Sequence, residues 1–114
     1  MTVMAFTGAD PALIGAGRTV ASALSGAPSA SLVTTRGNSL VFGVGNDFSN
    51  GRTMVAGAGQ TKVNQFVPAV NDTYWLQRVT GPVAAAGSTA TISDTYAGAM
   101  TDQWNLVMIE IRHP

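Results

Sequence analysis

Turn-forming residues recur along this chain roughly every 8–12 residues, and this rhythm is the feature that most restricts its fold. The breaks fall at Asp10-Pro11, Gly15 to Gly17, Gly26 to Pro28, Arg36-Gly37-Asn38, Asn50-Gly51, Gly57 to Gly59, Pro68 to Asp72, Gly81-Pro82 and Gly87. Between them Val, Thr, Ile and aromatic residues are enriched, and no window carries a persistent helical stripe. This pattern is typical of a sandwich or barrel and not of alternating strands and helices.

The sequence therefore predicts an all-β fold, an antiparallel β-sandwich of jelly-roll or immunoglobulin-like topology with roughly eight or nine short strands. The predicted strands are Thr2 to Thr7, Thr19 to Leu24, Ser31 to Thr35, Ser39 to Gly45, Thr53 to Ala56, Thr61 to Val67, Thr73 to Thr80, Ser88 to Ser93 and Gln103 to Arg112. A tight hairpin at Gly37-Asn38 is expected to pair Leu32 and Val33 with the strand that carries Leu40. The segment from Pro11 to Gly17 is predicted to form at most one helical turn, capped by Asp10.

Composition sets the limits on domain number and partners. The 114 residues are expected to form a single domain, 1–114, and only 11% of them are charged, against roughly 25% in an average soluble domain. Six Lys and Arg residues are scattered singly and the formal net charge is zero, so no basic cluster favours nucleic acid. No apolar run approaches the roughly 20 residues of a membrane-spanning helix, so membrane insertion is not expected.

Two predicted strands, Thr2 to Phe6 and Trp104 to Ile111, are apolar on both faces. A sandwich strand with one face in water normally alternates apolar and polar residues. An uncovered apolar face would form a substantial patch, so the pattern predicts that another chain or another copy covers one face of each strand. The candidate association residues are Val3, Met4, Phe6, Leu106, Met108 and Ile109.

Candidate catalytic groups are few. The single histidine, His113, precedes the terminal residue, and no Gly-x-Ser-x-Gly turn is present. Five of the six acidic residues fall in predicted loops or strand ends, where a carboxylate usually accepts backbone N–H bonds. Glu110 lies within an apolar strand, and is expected at the solvent end of its face or paired with an arginine such as Arg78. No catalytic site, and no enzyme, is predicted.

No metal site or cofactor is predicted, with calcium as an alternative. Two groups offer oxygen ligands: Asn46-Asp47 with Ser49 and Asn50, and Asp94 with Asp102. Neither has the dense carboxylate spacing of a dedicated calcium loop.

Aromatic side chains offer the best sequence signal for a ligand. Tyr74 and Trp75 are adjacent in a predicted strand, so one is expected in the core and the other toward solvent or a partner. Trp104 is expected in the core, whereas Tyr96, in a glycine-containing loop, is the ring most expected to be exposed. The predicted carbohydrate contacts are Tyr96, Tyr74 and Trp75.

Three stretches carry a family resemblance: Thr2 to Ala9, Ser39 to Asp47, and Asp102 to Ile111. They resemble a β-sandwich repeat module of large secreted or surface proteins of soil-type bacteria, often found beside fibronectin-III-like and immunoglobulin-like domains. The resemblance spans nearly the whole chain and implies the C-terminal portion of such a domain, at an extracellular or cell-surface location. It implies no activity.

The expected function is a non-catalytic structural or assembly module of an extracellular or surface protein. It would associate through its apolar strands, either as a homo-oligomer or with the missing part of its own domain. The alternative is a module that binds a carbohydrate or a surface polymer, with a glycan as partner.

Overall fold

The computed structural model describes residues 1–12 and 15–114, and these form an antiparallel β-sandwich. Its strands are β1 (Arg18–Ala23), β2 (Ser29–Val33), β3 (Leu40–Asp47), β4 (Val55–Ala56), β5 (Gln60–Phe66), β6 (Thr73–Val79), β7 (Thr89–Thr95) and β8 (Trp104–Ile111). The prediction of an all-β sandwich with about eight strands is confirmed. Every predicted strand except the first is present within two residues of its predicted bounds.

The strands form two sheets of unequal size. The larger has five strands in the order β1-β8-β3-β6-β5, and the smaller has three in the order β2-β7-β4. In the larger sheet β8 pairs with both β1 and β3, so the last strand of the chain lies inside the sheet. Both of its edges are therefore hydrogen-bonded to neighbouring strands.

The predicted hairpin between β2 and β3 is wrong. β2 pairs with β7 in the smaller sheet, whereas β3 pairs with β6 and β8 in the larger one. The turn at Gly37-Asn38 instead carries the chain from one sheet to the other, and Asn38 has a φ of 57°. A turn signal fixes where the chain reverses, but both strands are apolar on their inner faces, so sequence alone does not say which partner each one takes.

The core lies between the inner faces of the two sheets. Its main cluster joins side chains of both sheets that are at most 5% exposed: Leu32, Val41, Ala90, Ile92, Leu106 and Met108. A second cluster contains Met54, Trp75 and Tyr96. Trp104 is buried in the main cluster, as predicted.

Glycines in β3 make room for bulky side chains from other strands. A Cβ at Gly45 would overlap the indole of Trp75, and one at Gly43 would lie 2.8 Å from a methyl carbon of Ile92. Any larger residue at Gly45 would force the indole out of the core.

Within the described residues no helix is long and apolar enough to cross a membrane. The predicted turn from Pro11 to Gly17 includes Leu13 and Ile14 and lies partly outside the described residues. Asp10 Oδ1 does accept the N–H of Ala12, at 2.9 Å.

Candidate functional site: the outer face of the larger sheet

The larger sheet has an outer face, directed away from the smaller sheet, that is apolar at its centre. Along each strand alternate residues point to opposite sides, so the residues between core positions point outward. Cross-strand pairing aligns four of them in one row across four neighbouring strands: Val20, Val107, Val44 and Leu76. We call this the valine row.

The valine row is open to solvent over three of its four positions. Val20 is 75% exposed, Val44 56% and Val107 44%, while Leu76 is half-buried. Isolated exposed valines are ordinary on a protein surface, but three in register beside a leucine form a contiguous patch. The row is the largest departure of this surface from the alternation of an ordinary sandwich.

A second row beside it combines apolar side chains with cations. Arg18, Ile109, Phe42 and Arg78 align across the same four strands. Ile109 is exposed. Within the described residues neither arginine takes part in an ion pair. Glu110 and Asp47 are the acids of these strands, and both point inward. The acid of the outer face is Asp72, directly before β6.

The N-terminal segment lies across this face, and the predicted strand over Thr2 to Phe6 is wrong. Residues 1–9 form no ladder with any strand. A segment that crosses the face of a sheet meets side chains and not the free N–H and C=O groups of an edge, so it cannot be paired as a strand.

Contacts near each end hold this segment on the sheet. The ring of Phe6 packs edge-on against Phe42, with centroids 5.3 Å apart, and this contact leaves Phe42 buried although it points outward. Asn64 Nδ2 donates to the Thr2 hydroxyl at 2.6 Å. Between segment and sheet there is a groove of about 430 Å³ that Met1, Leu76 and Tyr74 help to line.

The association residues predicted from sequence divide into two groups. Val3, Met4 and Phe6 of the N-terminal segment are exposed, and so is Ile109 of β8. Leu106 and Met108 are completely buried in the core, so they have no surface to offer to a partner. The accessible side of β8 is the one that carries Val107 and Ile109.

Of the three rings predicted to contact carbohydrate, only Tyr74 is accessible. Tyr74 is 43% exposed on the outer face beside Phe66, its cross-strand partner, and its hydroxyl donates to Asp72 at 3.0 Å. Trp75 points into the core, which confirms that this adjacent pair is divided between core and surface. The exposure expected for Tyr96 is wrong.

Tyr96 is buried because its polar end has partners inside the protein. Its hydroxyl accepts the N–H of Asp102 at 3.1 Å, and the guanidinium of Arg52 lies 5.1 Å from the ring centroid. These contacts hold the loop between Tyr96 and Asp102 against the sandwich. A glycine-containing loop predicts a turn, but it does not reveal that a ring folds back beneath it.

Arg52 and Asp102 form a partly buried ion pair beside the ring of Tyr96. Arg52 Nε lies 2.5 Å from Asp102 Oδ2, and Asn50 Nδ2 donates to Oδ1 at 2.7 Å. The hydrogen bond from Arg52 lowers the pKa of Asp102. Burial, reinforced by the nearby Asp102, raises the pKa of Asp47 although Ser49 and Asn50 donate to it.

This arrangement does not favour the calcium alternative. A guanidinium already neutralises Asp102, whereas calcium sites use several unneutralised oxygens. Asp94, the suggested second ligand, accepts a hydrogen bond from Trp75 Nε1 instead. Among the described residues no three acidic, histidine or cysteine side chains come together as a metal site.

Asp94 is a buried acid next to the indole of Trp75. Trp75 Nε1 donates to Asp94 Oδ2 at 2.9 Å, and Oδ1 has no partner among the described residues. Burial raises the pKa of Asp94 to about 7, although the hydrogen bond from Trp75 and the charge of Lys62 both act to lower it. The side chain is therefore largely protonated in mildly acidic solution.

Glu110 is a structural anchor, and the expected pairing with Arg78 is wrong. The two side chains lie on opposite faces of the sheet, since Glu110 points inward and Arg78 outward. Glu110 instead accepts the N–H groups of Gly17 at 2.7 Å, Thr35 at 2.9 Å and Arg36 at 3.1 Å. Burial alone would raise the pKa of Glu110, but these hydrogen bonds lower it to about 2.

His113 lies exposed at the end of the chain, where its Nδ1 is 3.2 Å from the carbonyl oxygen of Pro114. The polar groups of the described interior have mainly structural partners, so the outer face of the larger sheet is the strongest candidate site.

The fold defines a class, a small two-sheet antiparallel sandwich with an apolar outer face. Comparison with known protein families, with curated proteins and with solved structures found no match.

Proposed function

We propose that this chain is a non-catalytic structural module of an extracellular or surface protein that self-associates through the outer face of its larger sheet. The observation that supports this best is the valine row, four apolar side chains in register on four strands with three of them open to water. Covering such a face removes apolar area from water, worth roughly 25 cal/mol per Å². The extracellular location follows from the family resemblance.

Self-association is consistent with the dimensions of the sheet. Five strands at about 4.8 Å spacing and about 24 Å in length present a nearly flat surface of roughly 600 Å² before side-chain relief is counted. A standard interface buries about 800 Å² of accessible surface on each partner. Two such faces would bury about 1,200 Å² in total, which is the lower end of the range for stable interfaces.

A charged residue in the centre of the valine row tests this function. Val107 lies between Val20 and Val44, so Val107→Glu would bury a carboxylate in the proposed interface. We expect the wild-type chain to show a mass above that of a monomer in light scattering at micromolar concentration, and Val107→Glu to be monomeric. Circular dichroism is the control that shows whether the variant is folded.

The matched control is Val33→Glu. Val33 is 55% exposed at the end of β2, in the smaller sheet, and lies outside the outer face. This variant should associate like the wild type. A monomeric wild type would contradict self-association, and binding to a polysaccharide that is lost in Tyr74→Ala would then support the carbohydrate alternative.

A further inference from the structure

The outward side chains of β6 and of the residue before it form a column that is complementary to itself when reversed. Alternate positions point to the same side of a strand, and here they carry, in order, Asp72, Tyr74, Leu76 and Arg78. The hydrogen bond from the Tyr74 hydroxyl to Asp72 places the carboxylate on this same side. An acid stands at one end of the column, a cation at the other, and apolar groups between them.

A second copy in antiparallel orientation would match this column at every position. Arg78 would face Asp72 of the second copy, and Leu76 would face its Tyr74, with the two remaining contacts generated by symmetry. A two-fold interface requires this kind of self-complementary surface. The seven residues from Asp72 to Arg78 span about 20 Å, so the two ion pairs would flank the apolar centre of the interface.

The two charged residues at the ends of this column, Asp72 and Arg78, are available to form ion pairs with a second copy. Within the described residues neither Asp72 nor Arg78 takes part in an ion pair. If the two-fold axis ran parallel to the strands instead, Arg18 of one copy would face Arg78 of the other, since both occupy the same row. Like charges across an interface are unfavourable, so the antiparallel arrangement is preferred.

We propose that a second copy docks on the outer face with its β6 antiparallel to the first, so that Arg78 of each copy pairs with Asp72 of the other. This inference depends on the proposed self-association and adds its orientation. The Met1 and Thr2 end of the N-terminal segment lies beside Leu76 and Tyr74, so this docking requires that end of the segment to move.

Charge reversal tests the orientation. In sedimentation equilibrium at low salt, Arg78→Glu and Asp72→Lys should each raise the dissociation constant of the dimer by roughly tenfold or more, because each places like charges opposite one another. The double variant Arg78→Glu/Asp72→Lys should recover the wild-type constant to within about threefold, since the pairs are restored with reversed sign. Circular dichroism shows whether each variant is folded.

Arg18→Glu serves as the control, because Arg18 is an unpaired arginine of the same face that has no acidic counterpart in this orientation. It should change the dissociation constant less than either single reversal. Failure of the double variant to recover association would overturn the antiparallel pairing. If Val107→Glu still dissociates the dimer in that case, self-association stands and only its orientation falls.

Discussion

Asp94 shows how one residue makes the stability of this sandwich depend on pH. Its carboxyl group is almost completely buried, and among the described residues only one of its oxygens has a hydrogen-bond partner, so the charged form is disfavoured. The folded-state pKa of about 7 lies above the ordinary value of 3.8. Below pH 3.8 Asp94 is protonated in both the folded and the unfolded chain, so its ionisation does not affect stability. As the pH rises from 3.8 toward 7, the unfolded chain ionises this group while the folded chain does not, and the free energy of unfolding falls.

We therefore expect the free energy of unfolding to fall as the pH rises from about 4 to about 7, by on the order of 4 kcal/mol from Asp94. Asp94→Asn keeps an oxygen for the indole N–H of Trp75 but cannot ionise, so its stability should decline much less over this range. Urea unfolding at a series of pH values measures this. Asp72→Asn is the control. If the free energy of unfolding of Asp94→Asn fell with pH as steeply as that of the wild type, this result would contradict the account.

The residue scale also shows what sequence can predict. The division of Tyr74 and Trp75 between surface and core followed from strand alternation alone. The role of Glu110 did not, because its partners are backbone N–H groups from segments far away in sequence. Backbone donors leave no residue-type signal, so an acid in an apolar strand predicted only that some partner exists.

At the scale of elements, β8 and the N-terminal segment had the same sequence pattern and differ in structure. Both are apolar at consecutive positions, yet β8 pairs on two sides and residues 1–9 pair with no strand. The prediction that both faces of β8 are apolar is confirmed. One face, with Leu106 and Met108, lies in the core, and the other, with Val107 and Ile109, belongs to the outer face of the sheet. Edge availability, which decides whether a segment becomes a strand, depends on the order of the whole sheet.

The N-terminal segment covers part of the surface that we propose for association. Phe6→Ser removes the ring that covers Phe42 and should release the segment, which exposes more apolar area on the outer face. We expect tighter self-association in sedimentation equilibrium and a loss of roughly 1 kcal/mol or less in stability, since one edge-on ring contact is lost. Weaker self-association would instead place Phe6 within the interface, as the sequence suggested.

At the scale of the whole molecule, the two sheets are unequal in what they leave exposed. The inner face of the larger sheet packs against the smaller one to form the core, and its outer face has only the N-terminal segment across it within the described residues. The all-β class could be predicted from turn spacing because that signal is local. The sheet order could not, because it depends on long-range pairing between apolar strands that are similar in sequence.

The central claim, that a second copy covers the outer face, is tested most directly by solvent access at Val107. The chain contains no cysteine, so Val107→Cys introduces a single thiol and its reaction rate with a maleimide reports on this position alone. Val33→Cys supplies the control on the smaller sheet. We predict that labelling at position 107 slows by roughly tenfold or more as protein concentration rises through the dissociation constant, while position 33 is unaffected. Equal labelling rates at position 107 across all concentrations would contradict the account.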